Sequence, residues 1–465
     1  MLERETVPGG LAGRMEEAGY RFDPGPTVLT MPGLIAETFT AAGSAVEDHL
    51  TLRPLDPMYR ACFPDGSEIR VRRGRDAMAE EIRTTCGPVE AAAFHRFCDW
   101  LTELYELEMP HFIARNFDSP LDLLRRPGPL ARLVRSGALR KLEPTVGSYF
   151  TDPRLRRLFS FQAMYAGLSP LEALAVYSVI TYMDTVEGVY FPDGGIHELA
   201  HGLTIAAEKA GTTFCFGRPV DRILRRTDRS VQGVRLADGE TVTADAVVCN
   251  VDVPVAYRTL LGLDPPRVSR RGRYSPSCVV WLAGVRGALP AGAAHHNVHF
   301  GQAWREAFDA LLREGRRMPD PSFLVTSPTY SDPSLAPEGR TSLFVLEPVP
   351  NLDGKVNWHA ERPRLRDEIV ERIGSLGYPT AVEVERLTDP LDWQARGLER
   401  GTPFALAHRF FQTGPFRPGN TDRHVPGLVF AGMGTVPGVG IPMVLISGRL
   451  AADRVDEWAA VRGRR

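Results

Sequence analysis

Apolar residues recur at Phe94, Phe97, Leu101, Leu104 and Tyr105, a spacing of three and four that places them on one helical face, directly after Gly87-Pro88. Proline suits the first helical position, where the missing N–H has no acceptor, so the pattern predicts a helix over 88–109, stopped by Pro110. Helical patterning continues with breaks to about residue 184. Its longest apolar stretch, 171–183, carries Glu172, is too short to span a bilayer and reads as a buried helix. Residues 196–209 are again helical. The period then changes to two: short alternating runs at 212–216, 220–226, 231–236 and 241–249, separated by Gly and Asp turns, predict strands, the first extending a sheet and the others forming a meander. Strand-like runs at 278–285, 297–300, 322–327 and 342–346, with helices at 304–313 and 362–375, predict a second sheet. A last apolar strand from Leu428 enters a glycine-dense turn and then a helix.

Composition narrows the function. The chain has 465 residues, enough for two domains with their own cores. Lys plus Arg is 55 against 57 for Asp plus Glu, so no global charge points to nucleic acid. The six cysteines lie far apart with no Cys-x-x-Cys pair, which argues against a zinc site or a redox dithiol and for free thiols. There is no secretory apolar core and no run of about 20 apolar residues.

The segment from Leu428 to Gly448 carries the sharpest signal. A strand entering a turn with Gly432, Gly434, Gly438 and Gly440, followed by a helix, leaves backbone N–H groups facing an anion such as a pyrophosphate. It is not the dinucleotide fingerprint, because Pro437 stands where the third glycine belongs. Its counterpart is N-terminal, in Gly9-Gly10 and in the run from Gly19 to Pro32. Both ends, with Tyr190-Phe-Pro-Asp-Gly-Gly195, His295-His-Asn-Val-His-Phe300, Pro348-Val-Pro-Asn-Leu352 and Gln412-Thr-Gly-Pro-Phe-Arg-Pro418, resemble the bacterial phytoene desaturase family of carotenoid desaturases, which are FAD enzymes.

The resemblance implies an α/β fold: a Rossmann-like FAD-binding domain lacking its N-terminal βα unit, and a discontinuous α+β substrate domain. The FAD domain is expected over 1–85, 196–265 and 415–465, and the substrate and membrane-facing domain over 86–195 and 266–414. Family members begin with a strand, a Gly-x-Gly-x-x-Gly turn and a helix, followed by an acid for the ribose; here Glu3 stands at that acid, so the true start is expected upstream. The implied cofactor contacts are Glu3, Gly9, Gly10, Arg14, Val220, Gly432, Met433, Gly440, Pro442 and Met443. Leu11 replaces the arginine that usually follows the glycine pair, leaving Arg14 as the nearest cation. The implied activity is FAD-dependent desaturation of 15-cis-phytoene towards lycopene or a shorter intermediate. A desaturase or flavin-dependent isomerase for another carotenoid, and a non-catalytic truncated relative, remain as alternatives.

Other features keep two readings each. A helical turn would set Asp152 and Arg156 on one face as an acid and base for the departing proton, or Asp152 caps a helix beside a surface ion pair. Three histidines within 295–299 invite a metal, but an extended run would part His295 and His299 by about 13 Å and turn His296 away, so no metal is assigned. Phe159, Phe161, Tyr165, Tyr182, Tyr190, Phe191 and Phe300 suit a tunnel for a hydrophobic polyene or an ordinary core. The segment 121–142 interleaves leucines with six basic residues and one acid. It suits a helix lying in the membrane interface, giving a cytoplasmic protein peripherally attached to the membrane surface, or one packed on its own domain.

Overall fold

The computed structural model describes residues 1–462. Its largest sheet has seven strands in the order Ala381–Thr388, Ser277–Arg286, Arg340–Val349, Phe323–Thr326, His296–His299, Tyr59–Cys62 and Glu68–Val71. All neighbours are antiparallel except His296–His299 with Tyr59–Cys62, which run parallel with Asn297 opposite Arg60. The strand Ser277–Arg286 is buried along nearly its whole length because Trp358–Ser375 packs on one face while Tyr20, Phe22 and Trp393 cover the other.

The long helix Pro88–Glu108 begins at the predicted proline and buries Phe94, Phe97, Leu101 and Leu104. His197–Lys209 matches the second helical pattern. The meander is Val220–Arg225, Val231–Leu236 and Thr241–Thr243, all antiparallel. Val247–Cys249 then leaves it to pair in parallel with Leu428–Phe430, the strand that feeds the C-terminal helix Ile441–Arg462.

Two expectations need correction. Residues 212–216 form no strand; Cys215 makes an isolated parallel bridge to Leu2. The apolar stretch 171–183 is no single helix but a 3-10 turn at Ala175–Ser178, one α turn at Val179–Thr181 and a π turn at Tyr182–Val186. Tyr59–Cys62 and Glu68–Val71 hydrogen-bond into the seven-stranded sheet, where Tyr59–Cys62 lies beside His296–His299 with Tyr59 and Ala61 buried.

Candidate functional site

A cavity of about 2430 Å³ runs through the described residues. Pockets for a drug-sized ligand run to roughly 1,000 Å³, so this one has room for a large cofactor and a long substrate together. Both glycine turns open onto it.

At the N-terminal turn, Gly9 and Gly10 adopt φ of 114° and 56°, a region that disfavours side chains. A Cβ on Gly9 would stand 2.5 Å from the Ala12 carbonyl oxygen. One on Gly10 would meet nothing within 4 Å, so bare backbone forms the wall there. At the C-terminal turn, Gly432 has φ 101° and its Cβ would press the Asn250 amide at 2.6 Å, while Gly440, at φ 113°, faces open space up to Met443 Cγ at 3.9 Å. The helix begins directly after Gly440, with Pro442 in its first turn, where an N–H would lack a helical acceptor. The dipole and unpaired N–H groups of that turn favour an anion.

Glu3, Gly9, Gly10, Arg14, Val220, Gly432, Met433, Gly440, Pro442 and Met443 all line this cavity. Arg14 is already engaged, by Glu198 at 3.2 Å and Glu16 at 3.1 Å. The backbone carbonyl of Glu3 accepts the Arg218 N–H at 2.8 Å, continuing the pairing around the Leu2 bridge. Bare backbone at two turns, joined by one cavity to a helix N-terminus, fits a flat cofactor carrying phosphates.

Asp152 and Arg156 do not make the expected acid–base pair, and neither lines the cavity. Asp152 caps the helix Pro153–Leu158, accepting the Arg154 N–H at 2.8 Å, and its carboxylate is bridged by the Arg154 guanidinium at 2.7 Å. Arg156 donates instead to the carbonyls of Phe150, at 2.8 Å, and Gly147. A capping carboxylate must turn back towards the first-turn amides, which points it away from the residue four positions on.

The histidines separate. Nδ1 of His295 meets Ser331 Oγ at 2.7 Å, Nδ1 of His296 meets Thr326 Oγ1 at 2.8 Å, and Nε2 of His299 meets the Tyr378 hydroxyl at 3.0 Å. Burial holds His295 down to about 3 and His299 to about 4, so both rings are neutral near pH 7. Among the described residues no three His, Cys, Asp or Glu side chains are grouped to hold a metal.

Of the aromatics, Phe161, Tyr165 and Phe300 line the cavity, with Phe161 edge-on to Phe300 at 5.7 Å. Phe159 is core, packed on Phe94, Phe97 and Phe150, and Tyr182 stacks on Tyr105 at 4.2 Å. Sequence reasoning missed three polar groups. Glu108 and Asp184 are buried carboxyls on the cavity wall, and a carboxylate inside an apolar run was the available signal for each. Arg417, buried throughout, donates to the carbonyls of Thr435, Leu406 and Met433 and so fixes the C-terminal turn. Burial lowers its pKa to about 10, which still leaves it charged.

The segment 121–142 folds as a 3-10 turn Pro120–Leu123 and a helix Pro127–Arg135, whose first turn accommodates Pro127 and Pro129. Leu121, Leu124 and Val134 are exposed, and so are Arg125, Arg126, Arg132 and Arg135. Beside them, the turn Gly414–Phe416 lies against Pro120–Leu123, and Phe416 packs on exposed Phe410 and Phe411. Leu123, Leu130, Leu139, Phe410 and Phe416 of this surface also line the cavity, so the apolar interior reaches the patch.

The model of the flavin-containing amine oxidoreductase family matches residues 1–456. A phytoene dehydrogenase of Streptomyces griseus is 47% identical over 98% of this chain and 90% of its own length. A zeta-carotene-forming phytoene desaturase of Myxococcus xanthus is 39% identical over 100% of this chain and 90% of its own. The solved structure of a cyclohexylamine oxidase from Brevibacterium oxydans shares the fold with a TM-score of 0.58 at 16% identity, covering 98% of this chain and 93% of that one.

Proposed function

The chain belongs to the flavin-containing amine oxidoreductase family and is an oxidoreductase of the carotenoid-desaturase type; from that premise we propose that it holds FAD in the long cavity and desaturates 15-cis-phytoene towards lycopene or a shorter intermediate. The observation that carries the reading is continuity. The two glycine turns, the aromatic wall of Phe161, Tyr165 and Phe300, and the exposed apolar surface around Phe410 all belong to one cavity.

The flavin supplies the one capacity no side chain has, acceptance of a hydride from an unactivated C–H bond. Glu3, Gly9, Gly10, Arg14 and Val220 would hold it from one side, in a Rossmann-like domain, and Gly432, Met433, Gly440, Pro442 and Met443 from the other. The remaining tasks fall to this chain. Its apolar walls align the polyene by dispersion contacts and keep water from the reacting carbons. In this reading residues 59–71 are counted with the substrate domain, whose sheet they complete.

A polyene hydrocarbon dissolves in the bilayer, so the protein must meet it there. No helix among the described residues is long and apolar enough to cross a membrane. The patch of Leu121, Leu124, Val134, Phe410 and Phe411, ringed by exposed arginines, supports peripheral docking on an anionic membrane surface. Expression in cells that accumulate phytoene tests the function: new long-wavelength carotenoid bands are expected, their position reporting how many double bonds were added. Colourless cells containing well-expressed, flavin-loaded protein would refute it.

A further inference from the structure

A wall built only to grip a hydrocarbon needs no ionisable group, yet Asp184 sits in this one. It belongs to the π turn Tyr182–Val186, is 2% exposed and lines the cavity next to Tyr165. Its two oxygens are separately held: Thr185 Oγ1 donates to Oδ1 at 2.7 Å, and Gln162 Nε2 donates to Oδ2 at 3.3 Å. Gln162 Oε1, buried, finds no partner within the protein, and the buried Tyr59 hydroxyl faces that of Tyr165. Buried polar atoms are rarely left unpaired, and one on the side chain that holds a buried carboxyl marks a place where a proton or a polar group is handled.

Resting on the desaturase reading above, we propose that Asp184 is the catalytic base that takes the proton leaving the polyene. Desaturation removes two hydrogens from adjacent carbons. One leaves as hydride, with its electron pair, to the flavin as oxidant. The second C–H bond breaks so that its electron pair becomes the new C=C bond, and the proton passes to a carboxylate oxygen of Asp184. The carbons lose two electrons, the flavin gains them, and Asp184 ends neutral until solvent recovers the proton.

Glu108, a second buried acid of the wall, is less suited to this. Its Oε1 is without a hydrogen-bond partner, and burial, with no donor to oppose it, drives its carboxyl well above the usual range. Burial also raises Asp184, but the donors Thr185 and Gln162 oppose it and bring the group to about 7. The titratable groups facing Asp184 are the phenols of Tyr59, from the strand Tyr59–Cys62, and Tyr165, from the turn Phe161–Ala166. From the helix Pro88–Glu108, packed on the same π turn, Tyr105 stacks on Tyr182 with Glu187 nearby. A base of this kind works ionised, so the rate should rise as pH rises through about 7.

The test compares flavin-loaded wild type, Asp184→Asn and Asp184→Glu on phytoene in vesicles across pH 5.5 to 9, alongside an infrared titration of the protonated carboxyl band. Expected are a rate in the wild type that climbs through neutrality and an Asp184→Asn kcat lower by about 10²-fold or more at little-changed KM and flavin content. Its pH profile should be flat, Asp184→Glu should restore part of the rate, and the carboxyl band that titrates near neutrality should be missing from Asp184→Asn. An Asp184→Asn enzyme with wild-type rate and pH profile would overturn the proposal while the desaturase reading stands. So would a wild type with no carboxyl band titrating near neutrality, a result that does not depend on the variant folding. A flavin-loaded wild type that leaves phytoene unchanged at every pH would overturn the desaturase reading, and this proposal with it.

Discussion

Removing the phenylalanine pair at the cavity mouth should detach the protein from membranes while leaving its core intact. Phe411 is 71% exposed and Phe410 47%. With about 200 Å² per ring, they offer about 140 and about 95 Å² of surface to a bilayer. At ~25 cal/mol per Å² that is worth ~6 kcal/mol if both rings leave water completely. Rings at the headgroup level keep one edge wet, so about half of that, ~3 kcal/mol, is the working figure, or on the order of 10²-fold in partitioning. Because the rings are exposed, Phe410→Ser/Phe411→Ser loses only their mutual contact and that with Phe416, about 1 kcal/mol of stability. The assay is flotation with vesicles rich in anionic lipid, with thermal melting as the folding control. A folded double variant that partitions within about twofold of the wild type would refute the reasoning, since no other account of ~3 kcal/mol would hide so large an apolar area. The arginines supply a second arm. At roughly 1 kcal/mol each near an anionic surface, Arg125→Glu with Arg132→Glu should weaken binding to charged vesicles, steeply so at low salt, and leave binding to neutral ones alone.

Three further outcomes follow from the geometry. Gly432→Val forces a side chain into a φ 101° position against Asn250, so purified variant protein should carry little or no flavin by absorbance, and full flavin content would remove Gly432 from the cofactor turn. Asp152→Ala should cost about 0.5–2 kcal/mol as a lost helix cap, read by thermal melting, with desaturation rate unchanged. Burial raises the Asp152 carboxyl, but hydrogen bonds from the Arg154 side chain and backbone outweigh it and hold the group below its usual value. A depressed carboxyl stabilises fully above its unfolded value near pH ~4 and loses that contribution as pH falls through the folded value, so the difference from the variant should shrink only in acid. Glu347 is buried between Arg317 and Arg372; Glu347→Ala would strand Arg372 while Arg317 keeps Glu361 and Glu368, lowering stability by about 3 kcal/mol in denaturant unfolding.

Local signals carried much of this structure into the sequence. Pro88 at a first helical turn, the three-and-four spacing of Phe94 to Leu104, and the glycine turn at Gly432 to Gly440 each act within a few residues, and each is found where its pattern put it. Long-range choices were not legible. Tyr59–Cys62 is a short alternating strand that could join either sheet, and its partner His296–His299 lies far along the chain. The stretch 171–183 is apolar enough for a helix, but successive 3-10, α and π turns let it follow the cavity and turn Asp184 inward. Asp152 illustrates the opposite failure. A helical wheel places Arg156 on its face, while the free amide of Arg154 is closer and wins the carboxylate. Arg417 offered no pattern, because its partners are backbone carbonyls, Leu406 on one segment and Met433 and Thr435 on another.

The central claim is that one cavity brings a bound flavin to a polyene and removes hydrogen from it. Its most direct measurement mixes FAD-loaded protein, without oxygen, with phytoene in vesicles and follows the flavin and polyene absorbance together in a single turnover. The account predicts bleaching of the oxidised flavin band in step with new structured bands of a longer conjugated chain. Oxidised flavin that persists beside unchanged phytoene would contradict it, and altered double-bond geometry with no change in product mass would replace desaturation by isomerisation.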